Sequence, residues 1–260
     1  MISPLAVVSP QAQLGKDVVI EPFTTIYEDV IIGEGTKIGP NVVIYPGTRI
    51  GHHCEIFPGA VIGAVPQDLK YAGEYTTTEI GNHTVIRECV TIHRGTSDKW
   101  KTTVGDYCML MGYVHVAHDC QIGNHVILAN YVGLSGHVTI QDYAILEGKV
   151  AAQQFVTIGA HAFVAGASLI RKSIPPFVRV AREPLSFIGV NSIGLRRRNF
   201  TDEQVRVVED IYRILFVQNS NVKKALEIIE EVIADCPERK QIIDFINQEE
   251  RGIVRGWVAE

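Results

Sequence analysis

The segment VHVAHDCQIGNHVILANYVGLSGHVTI, Val114 to Ile140, places a large aliphatic residue at every sixth position: Val116, Ile122, Leu128, Leu134 and Ile140. The register extends both ways. Stepping back reaches Leu110 and Val104, then Ile92, Ile86 and Ile80, then an unbroken run from Ile62 down to Ile2. Stepping forward passes Leu146, Ala152, Ile158 and Val164 and ends at Ile170. Of these 26 positions only Ala152 is not a large aliphatic, so chance is excluded. A helix would repeat every 3.6 residues and a half-buried strand every two. The slot four residues after each aliphatic is small or β-branched, as at Ala6, Ala12, Val18, Thr24, Val30, Thr36, Val42, Thr48, Cys54 and Ala60. Glycine often follows the aliphatic, as at Gly15, Gly33, Gly51, Gly81, Gly105 and Gly123. Two inward slots in six residues describe a short strand and a tight corner. Three hexads then close one triangular turn of a parallel β-helix. Stacked turns lie about 4.8 Å apart, the spacing of paired strands, and each turn buries its neighbours.

Two stretches interrupt the register: VPQDLKYAGEYTTT at 65–78 and GTSDKWKTT at 95–103. Loops extruded from a rigid scaffold often carry function. The repeat ends near Ile174-Pro175-Pro176, and the pattern turns helical after Asn199. Thr201 and Gln204 have capping-box spacing. Val205, Val208, Ile211, Ile214 and Leu215 recur at helical intervals, and Val222, Ala225, Leu226 and Ile229 predict a second helix that stops near Pro237. Ile242, Ile243 and Ile246 predict a third. The expected division is a β-helix over 1–191 and a small α-helical domain over 192–260.

The 260 residues supply ample core material. With 46% hydrophobic and 20% charged residues, the composition is neither disordered nor membrane-spanning. A net charge of −5 argues against wholesale nucleic-acid binding. Five cysteines, unpaired in pattern, predict reduced thiols. The start, MISPLAVVSPQAQLG, lacks a basic stretch and a long apolar run, so no secretion signal is expected and the expected location is the cytoplasm.

Nine histidines need sorting. His53, His83, His125, His137 and His161 fall in the fourth slot, at the corner, where a left-handed backbone favours His and Asn. His52 reads as a solvated neighbour. His118 differs: it is in the third slot, followed by Asp119. Stacking the coils puts Arg94 one turn before it, Gly136 one turn after and Gln154 two turns after. The adjacent column reads His93, Ala117, Ser135 and Gln153, so small residues beside His118 leave room for a ligand. A structural imidazole on a solenoid face is the competing reading. Cys54, Cys108 and Cys120 occupy the small inward slot, which predicts burial and inertness for Cys120 despite its closeness to His118.

The hexads resemble the hexapeptide acyltransferase superfamily, whose members form left-handed β-helices, usually as trimers with active sites between subunits. The segments VPQDLKYAGE, IRECVTIHRGT, VHVAHDC, ILAN, LSGHV and IGVNSIGLRRRNF are similar to the UDP-N-acetylglucosamine acyltransferase family over essentially the whole chain. The resemblance implies transfer of a 3-hydroxyacyl group from acyl carrier protein to the 3-hydroxyl of UDP-N-acetylglucosamine, the first step of lipid A biosynthesis. It implies His118 as general base, the Gly136 N–H as oxyanion donor, and Asp119 as an orienting group, with a plain corner aspartate as the alternative. Gln67, Asp68, Lys70, His115, His137 and Gln154 carry over to the sugar nucleotide, Asn191 to the nucleoside, and Arg197 and Arg198 to the diphosphate. Gly166, with Phe163 near it, carries over to the acyl-chain ruler; glycine there favours a long chain. No cofactor or metal is implied; the donor brings 4′-phosphopantetheine on its carrier protein. Arg171, Lys172, Arg179, Arg182 and Arg196 to Arg198 form a basic surface suited to that acidic partner.

The chain departs from the family at Ile193, where glutamate is common, and at Gln153, where a histidine is common. Three other readings compete. A later N-acyltransferase of the same pathway usually has an extra domain before its hexads, whereas these begin at Ile2. A left-handed β-helix carbonic anhydrase would bind zinc through three histidines across a subunit boundary, here His115, His118 and His137. A non-catalytic scaffold would need neither the QDLKYAGE loop nor His118.

Overall fold

The computed structural model describes residues 1–219, 221–249 and 251–256. Each hexad from Val8 onward forms a strand of two to four residues, and successive strands lie on successive faces of a triangular prism. Three parallel sheets result. One runs through the strands at 7–8, 25–26, 43–44, 61–64, 91–93, 115–116, 133–134, 151–152 and 169–170. The register stacks like on like: Ile26 on Ile44, Ile62 on Ile92, Val116 on Leu134 and Leu134 on Ala152. These inward aliphatics are buried from Ile20 to Ile170 and form one continuous core. The molecule is a left-handed parallel β-helix followed by a small helical region, the fold expected from the period of six.

The corners explain the rest of the hexad. His53, His83, His125, His137 and His161 all have φ between 54° and 64°, as their slot predicts. Aromatic residues share that conformation at Tyr107, Tyr113, Tyr131, Tyr143 and Phe155, although local preference does not favour them there. Stacking supplies the reason. Along one edge, His53, His83, Tyr107, His125, Tyr143, His161 and Phe177 form a continuous ladder with centroids 4.5–5.6 Å apart. Such pairs contribute about 0.5–1.5 kcal/mol beyond burial, enough to offset a strained corner. Beside that ladder, Asn82, Asp106, Asn124 and Asp142 each accept the corner N–H of the turn below. His52 belongs to this row: its Nδ1 accepts the Glu34 N–H at 3.1 Å.

After the last coil, Val178–Ala181 and Ser186–Val190 form an antiparallel hairpin. Four helices follow: α1 (Ser192–Arg197), α2 (Asp202–Arg213), α3 (Val222–Val232) and α4 (Pro237–Gln248). The capping box of Thr201 and Gln204 is formed at the start of α2. α2 runs on through a π-helical stretch, Ile214–Gln218. Pro237 does not end the second helix but opens α4 as its first residue, with α3 already finished at Val232. The buried Tyr212 hydroxyl donates to the Pro176 carbonyl at 2.6 Å and ties α2 to the last coil. No helix among the described residues is long and apolar enough to cross a membrane.

Candidate active site

Both interruptions open on one edge of the prism. The chain leaves the coil after Ala64 and rejoins at Thr77; it leaves again after His93 and rejoins at Lys101. In each case it passes from the same sheet to the next, so both loops replace the same corner. One turn later that corner carries Ala117, His118 and Asp119, then Ser135, Gly136 and His137, then Gln153, Gln154 and Phe155. The loops therefore stand beside the histidines. The first is tied down by Tyr75, whose hydroxyl donates to Asp29 at 2.8 Å, and by Glu74, which accepts the Ser97 N–H of the second loop at 3.0 Å.

Asp119 is the buried centre of the cluster. Its Oδ1 accepts the N–H groups of Thr96 (2.9 Å) and Lys99 (3.2 Å). Its Oδ2 pairs with the Thr96 hydroxyl at 2.6 Å and His118 Nδ1 at 2.8 Å. Burial alone would push the Asp119 carboxyl up, but these donors together, with the Thr96 hydroxyl first, hold it below the ordinary carboxylate value. An ionised carboxylate only accepts, so the proton between it and His118 belongs to Nδ1. The lone pair of His118 is then on Nε2, which faces Asp68 Oδ2 at 4.0 Å. His137 stands edge-on to His118, with centroids 5.1 Å apart at 90°. Its Nε2 is 3.9 Å from Asp119 Oδ2. Its Nδ1 lies 3.0 Å from Asp98 Oδ2 but off the hydrogen-bond direction, so that contact is ionic in distance without being a hydrogen bond.

Gly136 lies against the His118 ring. A Cβ there would fall 2.6 Å from His118 Cε1, so only glycine leaves the ring in place. Gly136 N–H meets no acceptor among the described residues. On the edge lined by Asn82 to Asp142 a side chain from the next turn fills that role; here the next turn offers Gln154, which is exposed and does not.

Of the expected site residues, His118, Asp119, Gly136, His137 and Asp68 converge. Gln67 and Lys70 flank Asp68 on the first loop, exposed. His115 lies one strand before the corner, its Nδ1 2.7 Å from the Thr91 hydroxyl. Burial and then the nearby His118 push its pKa down. Among the described residues of one chain, the ligand-type side chains that gather within 4.8 Å are His118, Asp119 and His137; His115 is not among them. Asn191, Arg197 and Arg198 lie elsewhere, by the aromatic edge. Asn191 caps α1 by accepting the Gly194 N–H, and its amide donates to the His161 carbonyl at 2.9 Å. Arg198 sits 5.2 Å over the Tyr143 ring, with a buried Nη1 that has no hydrogen-bond partner. Gly166 occupies the third edge, where its N–H donates to Glu147 at 3.1 Å; Phe163 precedes it, under the Arg179 guanidinium at 6.0 Å. Cys120 is fully buried and its thiol is pushed up to about 12 by that burial, so no thiolate is available there. All five cysteines are free, as expected. Sequence reading missed Thr96, Asp98 and Glu74. The signal was available in part: both loops interrupt the column that leads to His118.

Comparison with known proteins agrees with this architecture. A sequence profile described as bacterial transferase hexapeptide (six repeats) matches residues 29–64 and 101–136. A second, described as UDP N-acetylglucosamine O-acyltransferase, domain 2, matches 174–254. The chain is 51% identical over 253 residues to an acyl-(acyl-carrier-protein)–UDP-N-acetylglucosamine O-acyltransferase from Sulfurihydrogenibium sp., covering 97% of this chain and 93% of that one. It is 40% identical over 255 residues to the protein of the same description from Thiobacillus denitrificans, covering 98% and 99%. The crystal structure of the UDP-N-acetylglucosamine acyltransferase from Bacteroides fragilis superposes with a TM-score of 0.96 at 44% identity, over 98% of this chain and all of that one. A hexad coil with two loops on one edge, a histidine–aspartate pair beside them and this likeness along nearly the whole length place the chain in the UDP-N-acetylglucosamine O-acyltransferase family.

Proposed function

We propose that the protein transfers a 3-hydroxyacyl group from acyl carrier protein to the 3-hydroxyl of UDP-N-acetylglucosamine, the first step of lipid A biosynthesis, with His118 as general base. The observation that carries this reading is the His118–Asp119 contact of 2.8 Å, which fixes the proton on Nδ1 and leaves Nε2 as the accepting nitrogen beside the free Gly136 N–H. A sugar hydroxyl is a poor nucleophile near neutral pH and needs a base as it attacks the thioester. Nε2 takes the hydroxyl proton while the sugar oxygen bonds to the thioester carbon. The oxyanion of the tetrahedral intermediate points at the Gly136 N–H, a preorganised donor. Collapse breaks the C–S bond, and the departing pantetheine sulfur takes the proton from His118. No acyl-enzyme forms, in keeping with the inert Cys120.

Asp68, Gln67, Lys70, His115, His137 and Gln154 hold the sugar nucleotide, and Arg197 and Arg198 hold its diphosphate, for which a planar guanidinium is suited. Asn191, with both amide ends engaged, serves by fixing the start of α1. Base, arginines and ruler occupy three different edges, so one acyl group and one nucleotide can span them only if subunits meet. A homotrimer satisfies this. The carrier protein approaches the basic surface around Arg171, Lys172 and Arg179; Arg171 and Arg196 are already matched by Glu183 and Asp202 at 2.8 Å and add less charge than the sequence suggests. Ile193 and Gln153, both exposed, mark where nucleotide affinity departs from that of relatives.

Acyl transfer to UDP-N-acetylglucosamine from 3-hydroxyacyl carrier proteins of several lengths tests the reading. The absence of a side chain at Gly166 predicts a preference for a long chain, roughly myristoyl, and Gly166→Met is expected to move the optimum to shorter donors. No transfer with any donor would reject the reaction; an unchanged profile in Gly166→Met would reject the ruler.

A further inference from the structure

His137 is held in an unusual way. Among the described residues neither ring nitrogen makes a hydrogen bond: Nδ1 has none with Asp98 despite the short distance, and Nε2 is 3.9 Å from Asp119. The plane of the imidazole is therefore set by packing. Phe155, one turn above, stacks on it with centroids 4.3 Å apart and planes 9° from parallel. The Arg251 guanidinium carbon lies 4.7 Å over the same Phe155 ring. His137 lies one turn below Phe155, and the segment that carries Arg251 pairs with Ser173, one turn above it, so the order is His137, Phe155, Arg251. This short stack differs from the long aromatic edge. It has two rings only, and a cation from the far end of the chain closes it. That cation is well anchored although its side chain is exposed: Gly252 O accepts the Ser173 N–H, Val254 N–H donates to Ser173 O at 2.9 Å, and Ile253 and Val254 are buried.

We propose that Phe155 and Arg251 are positioning residues for His137: the capped stack holds that imidazole at a right angle to His118, in the orientation that receives the sugar nucleotide. The inference rests on the acyl-transfer reading above, in which His137 contacts that substrate. A guanidinium over a phenyl face is attracted by the ring quadrupole, and desolvation on one side strengthens the attraction. Arginine at 251 thus restrains a phenylalanine that would otherwise swing into solvent and release the histidine. Phe155 adopts φ 65°, a corner conformation that its own residue type does not favour, which fits a side chain retained for its contacts.

The test is calorimetric titration of UDP-N-acetylglucosamine into the full-length protein, in the wild-type and His137→Ala backgrounds, with Arg251→Gln, Arg251→Lys and Phe155→Leu in each. In the wild-type background Arg251→Gln and Phe155→Leu are expected to weaken binding about three- to tenfold, with Arg251→Lys retaining most of the affinity. In the His137→Ala background the same substitutions are expected to change binding by less than about 1.5-fold, because residues that act through one partner are not additive. Arg251 is exposed, so its variants keep the fold even if Phe155→Leu does not. Equal losses in both backgrounds, or no loss in the wild-type one, would overturn the positioning role while leaving the function standing. A wild-type protein that does not bind the nucleotide sugar would overturn the functional reading and the inference with it.

Discussion

Asp119 has the backbone of a corner aspartate, φ 59°, and also the hydrogen bonds of an orienting carboxylate. The corner backbone does not prevent the carboxylate from reaching His118, so the orienting role remains the proposal. Its role makes a prediction with a definite sign. The folded carboxyl titrates below its unfolded value of about 3.9. Between those two values the unfolded chain binds more protons, so stability rises with pH in that window. The contribution is fully present above about pH 5 and is lost as the pH falls through the folded value. Urea midpoints of wild type should therefore drop on going from pH 6 to about pH 3 by more than those of Asp119→Asn. The same variant is expected to lower kcat by about 10²-fold or more, since an amide can turn its N–H toward Nδ1 and move the imidazole proton to Nε2. A midpoint that falls equally in both proteins would remove Asp119 from the acid response.

At the scale of elements, the aromatic edge shows what a hexad pattern conveys and what it omits. The inward aliphatics were legible because each strand repeats them at fixed spacing. The histidine corners were legible because left-handed backbone has a local residue preference. Tyr107, Tyr143 and Phe177 were not, because their compensation comes from rings one full turn away along the chain. The helix α1 was missed for a related reason: six residues show too little periodicity to register. Tyr143 separates the two corner effects. It stacks on His125 at 4.5 Å and His161 at 4.9 Å and lies under Arg198. Tyr143→Ala is expected to cost about 1–3 kcal/mol, from two lost stacks and one cation–π contact. Tyr143→Asn should recover part of that through its preference for the left-handed corner. Equal urea midpoints for the two variants would mean that corner strain contributes nothing.

At the scale of the molecule, the proposed functional groups divide among three edges of one prism. His118 and the loops share the first, Arg198 and Asn191 the second, Gly166 the third. That His118 stands out from the corner histidines was legible in the stacked columns; that both loops converge on it was not, because Asp68, Thr96 and Asp98 lie outside the repeat that supplies the register. A single chain presents these edges facing different directions. Light scattering is expected to give a particle of three times the 28.7 kDa chain mass, and a monomer with full activity would refute the division of the site among subunits.

The most direct test is acyl transfer from a 3-hydroxyacyl carrier protein to UDP-N-acetylglucosamine by wild type and by His118→Ala, with product identified and nucleotide binding measured alongside. Loss of a general base is expected to slow turnover by about 10²- to 10⁴-fold while nucleotide binding persists. Turnover in the variant within a few-fold of wild type would contradict the assignment of His118 as the base.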